Sequence, residues 1–359
     1  MKRTDRPLIG ISVGDPGGIG PEVTVKALAL PQTYRICRPL VVADAALMRE
    51  AVRVAGAVVE VRAVRSPVEG VYRPGLIDVL DLGNVVLGRL RYGAVSAEQG
   101  RASFEFVRRL IELAIAGEID ATVTGPIHKE AVNQAGFRYA GHTEIYADLT
   151  GTRDYTMMLL EGDFRVAHVS THVSLRQAVE RVRMDRVLTV IRLAADALEH
   201  MGIPRPRIAV AGLNPHAGEG GLFGAEEVEQ IAPAVQAAQA EGRRVEGPLP
   251  ADTAFPKMRG GQYDLVVAMY HDQGHIPVKL LGFRYDRQRG EWRSVAGVNV
   301  TLGLPIIRTS VDHGVAFDRA GAGTANPRSM VEAIRTAADL CRGGGARRRP
   351  SAAPPASRA

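Results

Sequence analysis

The sequence predicts an α/β protein built on a largely parallel sheet. Short apolar runs that read as buried strands alternate with segments of helical periodicity over most of the chain. That alternation builds parallel sheets through strand–helix–strand units. Clusters of Gly, Pro, Asn, Asp and His follow the strands, and open α/β sheets bind ligands beyond the carboxyl ends of their strands.

Residues 7–13, Pro-Leu-Ile-Gly-Ile-Ser-Val, give the first strand, which ends in the loop Gly-Asp-Pro-Gly-Gly-Ile-Gly-Pro-Glu at 14–22. A helix is expected next, because Pro21 suits a first helical turn and Glu22 suits its positive end. Residues 39–44 give a second strand. Residues 97–116 carry Phe104, Val107, Leu110, Ile111 and Ala114 along one helical face. Residues 120–126 form a strand ending in a turn, and 184–201 form a helix closed by Gly202 and Pro204. Further strands are expected at 207–213, 264–269 and 304–310, and a last helix at about 327–341. The polar segment 284–293 reads as an exposed hairpin or loop.

The chain has 359 residues, room for two domains with substantial cores. No apolar run is long enough to span a bilayer, and the start of the chain lacks the apolar stretch of a signal peptide. A cytoplasmic protein is therefore expected, and two cysteines, Cys37 and Cys341, fit that expectation. The net charge of +6 does not argue for a nucleic-acid partner. Five arginines and no acid lie in residues 342–359, which read as a disordered basic tail, and the body of the chain is close to neutral.

Three histidines carry the chemistry. His172 closes Val-Ser-Thr-His (169–172), His216 lies in Asn-Pro-His-Ala-Gly-Glu (214–219), and His271 begins His-Asp-Gln-Gly (271–274). Each follows an apolar strand. Imidazole is the commonest metal ligand, and three protein ligands with an open position make a catalytic site. The histidines are 44 and 55 residues apart, so the fold itself must assemble such a site. Asp252 and Asp272 are candidates for orienting ligands or moving protons, and equally for capping. Thr143 beside His142, at a helix start, suits a phosphate or carboxylate, or serves only as an N-cap. Lys279, Asn299 and Arg308 are polar residues in apolar stretches and need partners, either an anionic ligand or an ordinary ion pair. The loop from Gly14 and Asp15 fits neither the Walker nor the dinucleotide fingerprint. It either cradles a phosphate or cofactor at a helix start or is only a tight turn. The Gly- and Ala-rich segment 313–327, which includes His313, Gly314 and Asn326, lets a flat ligand approach the backbone closely.

In sum these motifs resemble the 4-hydroxythreonine-4-phosphate dehydrogenase family of pyridoxal-phosphate biosynthesis. The matching pieces include 14–22, Thr-Gly-Pro-Ile-His-Lys (124–129), Gly-His-Thr-Glu (141–144), 214–219, Gly-Pro-Leu-Pro-Ala-Asp-Thr (247–253), 271–274, 297–305 and Thr-Ser-Val-Asp-His-Gly (309–314). The resemblance implies two α/β/α domains with a cleft between them, similar to isocitrate and isopropylmalate dehydrogenases. The domains would be 1–120 with about 295–341, and about 121–294. It implies a homodimer whose active site is shared across the interface. It assigns His172, His216 and His271 to a divalent metal (Zn, Mg, Mn or Co), and His142, Thr143, Lys279, Asn299 and Arg308 to substrate. The segment 313–327 is similar to a loop that binds NAD or NADP, and with Gly14 and Asp15 it makes the cofactor side.

The expected reaction is oxidation of the 3-hydroxyl of a 4-phosphorylated 3-hydroxy acid, then decarboxylation to a phosphorylated ketone. Asp252, Asp272 and Lys129 are the candidate proton acceptors. Asp15 stands where the biosynthetic enzymes carry Glu, and several segments look more like the related branch that acts on 4-phospho-D-threonate or 4-phospho-D-erythronate. The rival readings are a dehydrogenase of a cyclic dihydrodiol, a metal-dependent hydrolase and a non-catalytic phosphate-binding protein. No nucleic-acid or membrane partner is expected.

Overall fold

The first apolar run becomes β1 (Leu8–Ser12), and all five of its residues are buried. The following strands are β2 (Arg38–Ala43), β3 (Glu60–Val64), β4 (Leu76–Asp81), β5 (Ala121–Thr124), β6 (Thr156–Glu161) and β7 (Phe164–His168). Then come β8 (Arg207–Ala211), β9 (Arg244–Leu249), β10 (Leu265–Ala268), β11 (Phe283–Asp286), β12 (Glu291–Val295), β13 (Val298–Leu302) and β14 (Arg308–Val311). This computed structural model describes residues 6–287, 291–295 and 297–343. Twelve strands make one sheet in the order β3-β4-β2-β1-β5-β14-β13-β6-β7-β10-β8-β9. β11 and β12 pair as the hairpin expected at 284–293.

The sheet is parallel on both flanks and antiparallel at its centre. β13 runs against both β14 and β6, and β6 runs against β7. The strands β7, β10, β8 and β9 therefore point opposite to β1, β5 and β14. The polar clusters follow the carboxyl ends of their strands, but β5 and β14 run opposite to β7, β8 and β10. The three candidate metal histidines follow β7, β10 and β8, which are neighbours.

Period-two alternation sorts the central strands into two faces. Val298, Val300 and Leu302 of β13, with Val311 of β14 and Met158 and Leu160 of β6, join the main apolar core. The helices Met184–His200 and Arg328–Gly343 cover that face. Asn299 and Thr301, with Arg308 and Ser310 opposite them, look out from the other face. The helix Ala97–Ile115 packs on β1, β2 and β5 with Phe104, Val107, Leu110 and Ile111 buried, as the periodicity predicts.

Some boundaries differ from the sequence reading. β14 starts at Arg308, because Pro305 and the left-handed Gly303 hold 303–307 in a turn. The last helix extends to Gly343, so residues 342 and 343 belong to it and the remainder of the tail, 344–359, lies outside the described residues. β5 pairs with β1 on one side and β14 on the other.

Gly14 has a structural role. Its φ is +76°, and a Cβ there would sit 2.1 Å from the carbonyl oxygen of Pro126. The left-handed backbone and the backbone contact both exclude a side chain. Gly14→Ala is expected to lower unfolding free energy by about 2 kcal/mol or more in urea titrations. Wild-type stability in that variant would contradict this packing.

Candidate functional site

Arg308 is the centre of the polar sheet face. It is 3% exposed, yet no carboxylate lies within ion-pair distance among the described residues. Its Nη1 donates to Thr301 Oγ1 at 2.9 Å and its Nη2 to Thr124 Oγ1 at 3.1 Å. Its guanidinium stands 5.6 Å over the ring of Tyr146, and Nε is buried without a partner. Burial pushes its pKa down to about 10, against the pull of Tyr146 and Glu144. A buried cation held only by hydroxyls and a ring has capacity left for an anion.

His142 stands on the same side. It opens the helix His142–Thr150, whose N-cap is Gly141 and not Thr143. Burial, then the charges of Arg308 and Lys129, push its pKa well below the ordinary value, so the ring is neutral. Its Nε2 is buried without a partner. Lys129 begins the helix Lys129–Gln134, and its Cε lies 3.8 Å from where a Cβ on Gly141 would sit. Asn299 donates from Nδ2 to Met157 Sδ at 2.6 Å, and its Oδ1 is buried without a partner. Lys279 is half-buried, 5.8 Å over the Phe283 ring.

His172 and His271 converge because β7 and β10 stay paired beyond their ends. Val169 N donates to Ala268 O, and both the N–H and the hydroxyl of Ser170 donate to Met269 O. The two ring centroids are 5.6 Å apart. They line a cleft of about 490 Å³ with Thr171, Tyr270 and Asp272. Burial, followed by the charge of Lys129, lowers the pKa of His172, which keeps that ring neutral. The Nδ1 of His271 lies 2.6 Å from Asp272 Oδ1, and the Nδ1 of His216 lies 3.2 Å from Glu219 Oε2. A carboxylate on Nδ1 leaves Nε2 as a lone pair, which is how ligand imidazoles are oriented. These donors fit a divalent cation.

His216 does not join the other two within this chain. No group of three such side chains able to hold one ion occurs among the described residues. His216 sits in a left-handed run, His216–Gly220, with positive φ at His216, Ala217 and Glu219. Such backbone costs roughly 1–2 kcal/mol per non-glycine residue and gathers at functional loops. The buried Glu227 holds the loop by accepting from the N–H groups of Leu213 and Asn214, both at 2.7 Å.

The cofactor candidates form a separate contact. Ile19 N donates to Val315 O at 3.0 Å, and Glu22 and Lys26 bind the backbone of 323–325. Asp15 is buried inside its own loop, accepting from Gly17 N and Gln99, and burial raises its pKa. His313 has a buried, unpartnered Nε2. Gly314 and Asn326 are exposed. Asp252 is exposed in the first turn of the helix Ala251–Arg259, and Asp272 is committed to His271.

Several residues escaped the sequence reading. Thr124 and Thr301 hold Arg308, and Glu144 adds its charge to Arg308 and His172. Burial pushes the carboxyl of Asp312 up to about 6, with Lys279 and His271 pulling the other way. Thr124 and Asp312 lie inside the quoted motifs, so their signal was present. His275 stacks on His271 and His168 tilts against His275 from behind, and strand or helix burial alone would have hidden them.

A model of the family described as pyridoxal phosphate biosynthetic protein PdxA matches residues 35–337. The D-threonate 4-phosphate dehydrogenase of Cupriavidus necator is 49% identical over 335 residues, 93% of this chain and 97% of the relative. A crystal structure of a 4-hydroxythreonine-4-phosphate dehydrogenase from Burkholderia phymatum matches with a TM-score of 0.80 at 46% identity, covering 93% of this chain and 98% of the other. A terephthalate 1,2-cis-dihydrodiol dehydrogenase from Burkholderia xenovorans matches with a TM-score of 0.65 at 32% identity, covering 93% and 98%. No described helix is long and apolar enough to cross a membrane.

Burial holds His168 down to about 4 and His275 down to about 3. The unfolded chain titrates these groups near 6.5, so between the two values it binds more protons than the folded one. Their stabilisation is complete above about pH 6.5 and is lost as pH falls through the folded values, on the order of 3 kcal/mol for His168. Urea unfolding should weaken over that window, and histidine ring NMR signals should show both rings neutral at pH 5. Ring titrations near 6.5 would contradict the buried, neutral pair.

Proposed function

The chain belongs to the PdxA family, and from that premise we propose that it is the dehydrogenase that oxidises the 3-hydroxyl of D-threonate 4-phosphate. The observation that carries the reading is Arg308, a buried guanidinium with hydroxyl partners and, among the described residues, no carboxylate within ion-pair distance, beside the unpartnered Nε2 of His142. That pair wants a phosphate or carboxylate. The similarity to a relative named for D-threonate 4-phosphate supports the choice of substrate.

When bound, a nicotinamide dinucleotide supplies the hydride acceptor, and a divalent cation (Zn, Mg, Mn or Co) supplies Lewis-acid polarisation of the hydroxyl. His172 and His271 would hold the cation, with Asp272 fixing the tautomer of His271. The turn from Gly14 and Asp15, packed on the segment with His313, Gly314 and Asn326, would seat the dinucleotide. There Gly18 leaves room that a Cβ would fill, 3.0 Å from Val315.

Arg308, Thr143 and His142 bind and orient the anionic groups, and Lys279 and Asn299 line the same face. Lys129, whose charge reaches both His142 and His172, is positioned to exchange the hydroxyl proton. Hydride and proton leave C3 and its oxygen, giving a β-keto acid. The C1–C2 bond then breaks, CO₂ departs, and C2 takes up a proton, giving dihydroxyacetone phosphate. The cationic face offsets the enolate charge that develops in that step.

The third imidazole is the partner subunit's His216. Ile276 and Leu280 lie one turn apart on the helix that begins at His271, and they are 57% and 76% exposed. Leu222 and Phe223, just beyond His216, are 73% and 49% exposed. These apolar patches flank both halves of the site, as an isologous dimer requires. The two lobes would be 1–120 with about 295–341, and about 121–294, with the cleft over the β14–β13–β6 strip.

One assay tests both claims. Wild-type protein should turn over D-threonate 4-phosphate with NAD or NADP at a higher kcat/KM than 4-phosphohydroxythreonine, D-erythronate 4-phosphate or a cyclic dihydrodiol. His216→Ala and His271→Ala should each be inactive. Their co-expressed heterodimer, isolated through two tags, keeps one complete site of two and should recover about half of wild-type turnover. Recovery is impossible if all three histidines serve within one chain, so an inactive heterodimer would contradict the shared site. Preferred turnover of the dihydrodiol would contradict the substrate.

A further inference from the structure

We propose that His275 and His168 are positioning residues that hold the imidazole of His271 in the plane its ligand role requires. The inference rests on the metal reading given above and concerns residues that reading does not use.

His271 and His275 are four residues apart on one helix, the spacing of a chelating pair. The geometry excludes that role. Their rings are stacked face to face, with centroids 3.6 Å apart and planes at 12°. Stacked rings direct their lone pairs side by side and do not converge on one ion. The Nδ1 of His275 lies 2.9 Å from the carbonyl oxygen of His271, so its proton is committed to the backbone.

Behind His275 stands His168. It is fully buried, its centroid is 4.8 Å from that of His275, and its Nδ1 lies 3.3 Å from Met157 O. Gly274 makes room for it: a Cβ there would lie 2.3 Å from His168 Nε2. His271 is thereby fixed by Asp272 at Nδ1 and by a ring on one face, while its side chain is still about one-third exposed. Gln273 completes the arrangement. It accepts from Met269 N at 2.7 Å and donates to Gly212 O at 2.8 Å, tying the turn after β10 to the end of β8. Each residue of His-Asp-Gln-Gly thus has a separate task, and His275 extends the motif by one turn.

The test is Co(II) titration of the full-length, metal-stripped protein, following visible d–d absorption, with circular dichroism as the check on folding. His275→Phe keeps a flat ring and loses the donor. His275→Gln keeps a donor and loses the ring, and replaces His275→Ala should the alanine variant not fold. The ring-less variants are expected to bind Co(II) about 10- to 100-fold more weakly with altered band positions. The Phe variant should stay within about threefold of wild type. Wild-type affinity in the ring-less variants, or equal loss in the Phe variant, overturns the proposal. Unchanged Co(II) binding in His271→Ala overturns instead the ligand assignment on which it rests.

Discussion

A buried guanidinium with no carboxylate in ion-pair distance among the described residues is the constraint around which the site is built. Removing a cation from water costs several kcal/mol unless hydrogen bonds and opposite charge compensate it. Thr301, Thr124 and the Tyr146 ring compensate Arg308 only in part. The fold keeps this arrangement because the register of three strands fixes it: Arg308 lies opposite Thr122 on β5 and Thr301 on β13. A slip of one residue would turn Arg308 into the apolar core and Thr309 out of it. The antiparallel centre of the sheet therefore does two things at once. It joins the flanks, and it gathers polar side chains on a single face.

The same junction reverses the strand direction between the two flanks of the sheet. β7 and β10 are neighbours whose pairing continues past their ends, which is why His172 and His271 meet. β8 is next in order, but its loop turns left-handed under the grip of Glu227 and carries His216 away from them. Strain and exposed apolar side chains lie together on that loop. Both have a physical purpose if a second copy of the chain completes the site.

Much of the architecture was legible in the sequence because local signals agreed with the fold. Pro21 and Glu22 announced the helix Gly20–Leu28, and the Phe104–Ile111 periodicity announced the helix Ala97–Ile115. Strand direction was not legible, since an antiparallel pair and a parallel pair have similar apolar runs once both faces are covered. The partners of Arg308 were hidden for a related reason. Thr124 and Thr301 meet it only through register, across 184 and 7 residues. The histidine cluster was hidden because His168 reads as an ordinary strand residue until Gly274 and His275 meet it from the helix after β10.

In the proposed reaction Arg308 is the receptor for the substrate's anionic end. Calorimetric binding of D-threonate 4-phosphate to wild type and to Arg308→Gln, in the absence of dinucleotide, tests it most directly. The substitution should lower affinity about 100-fold or more, with the circular dichroism spectrum preserved. Affinity within twofold of wild type in a folded variant would contradict it.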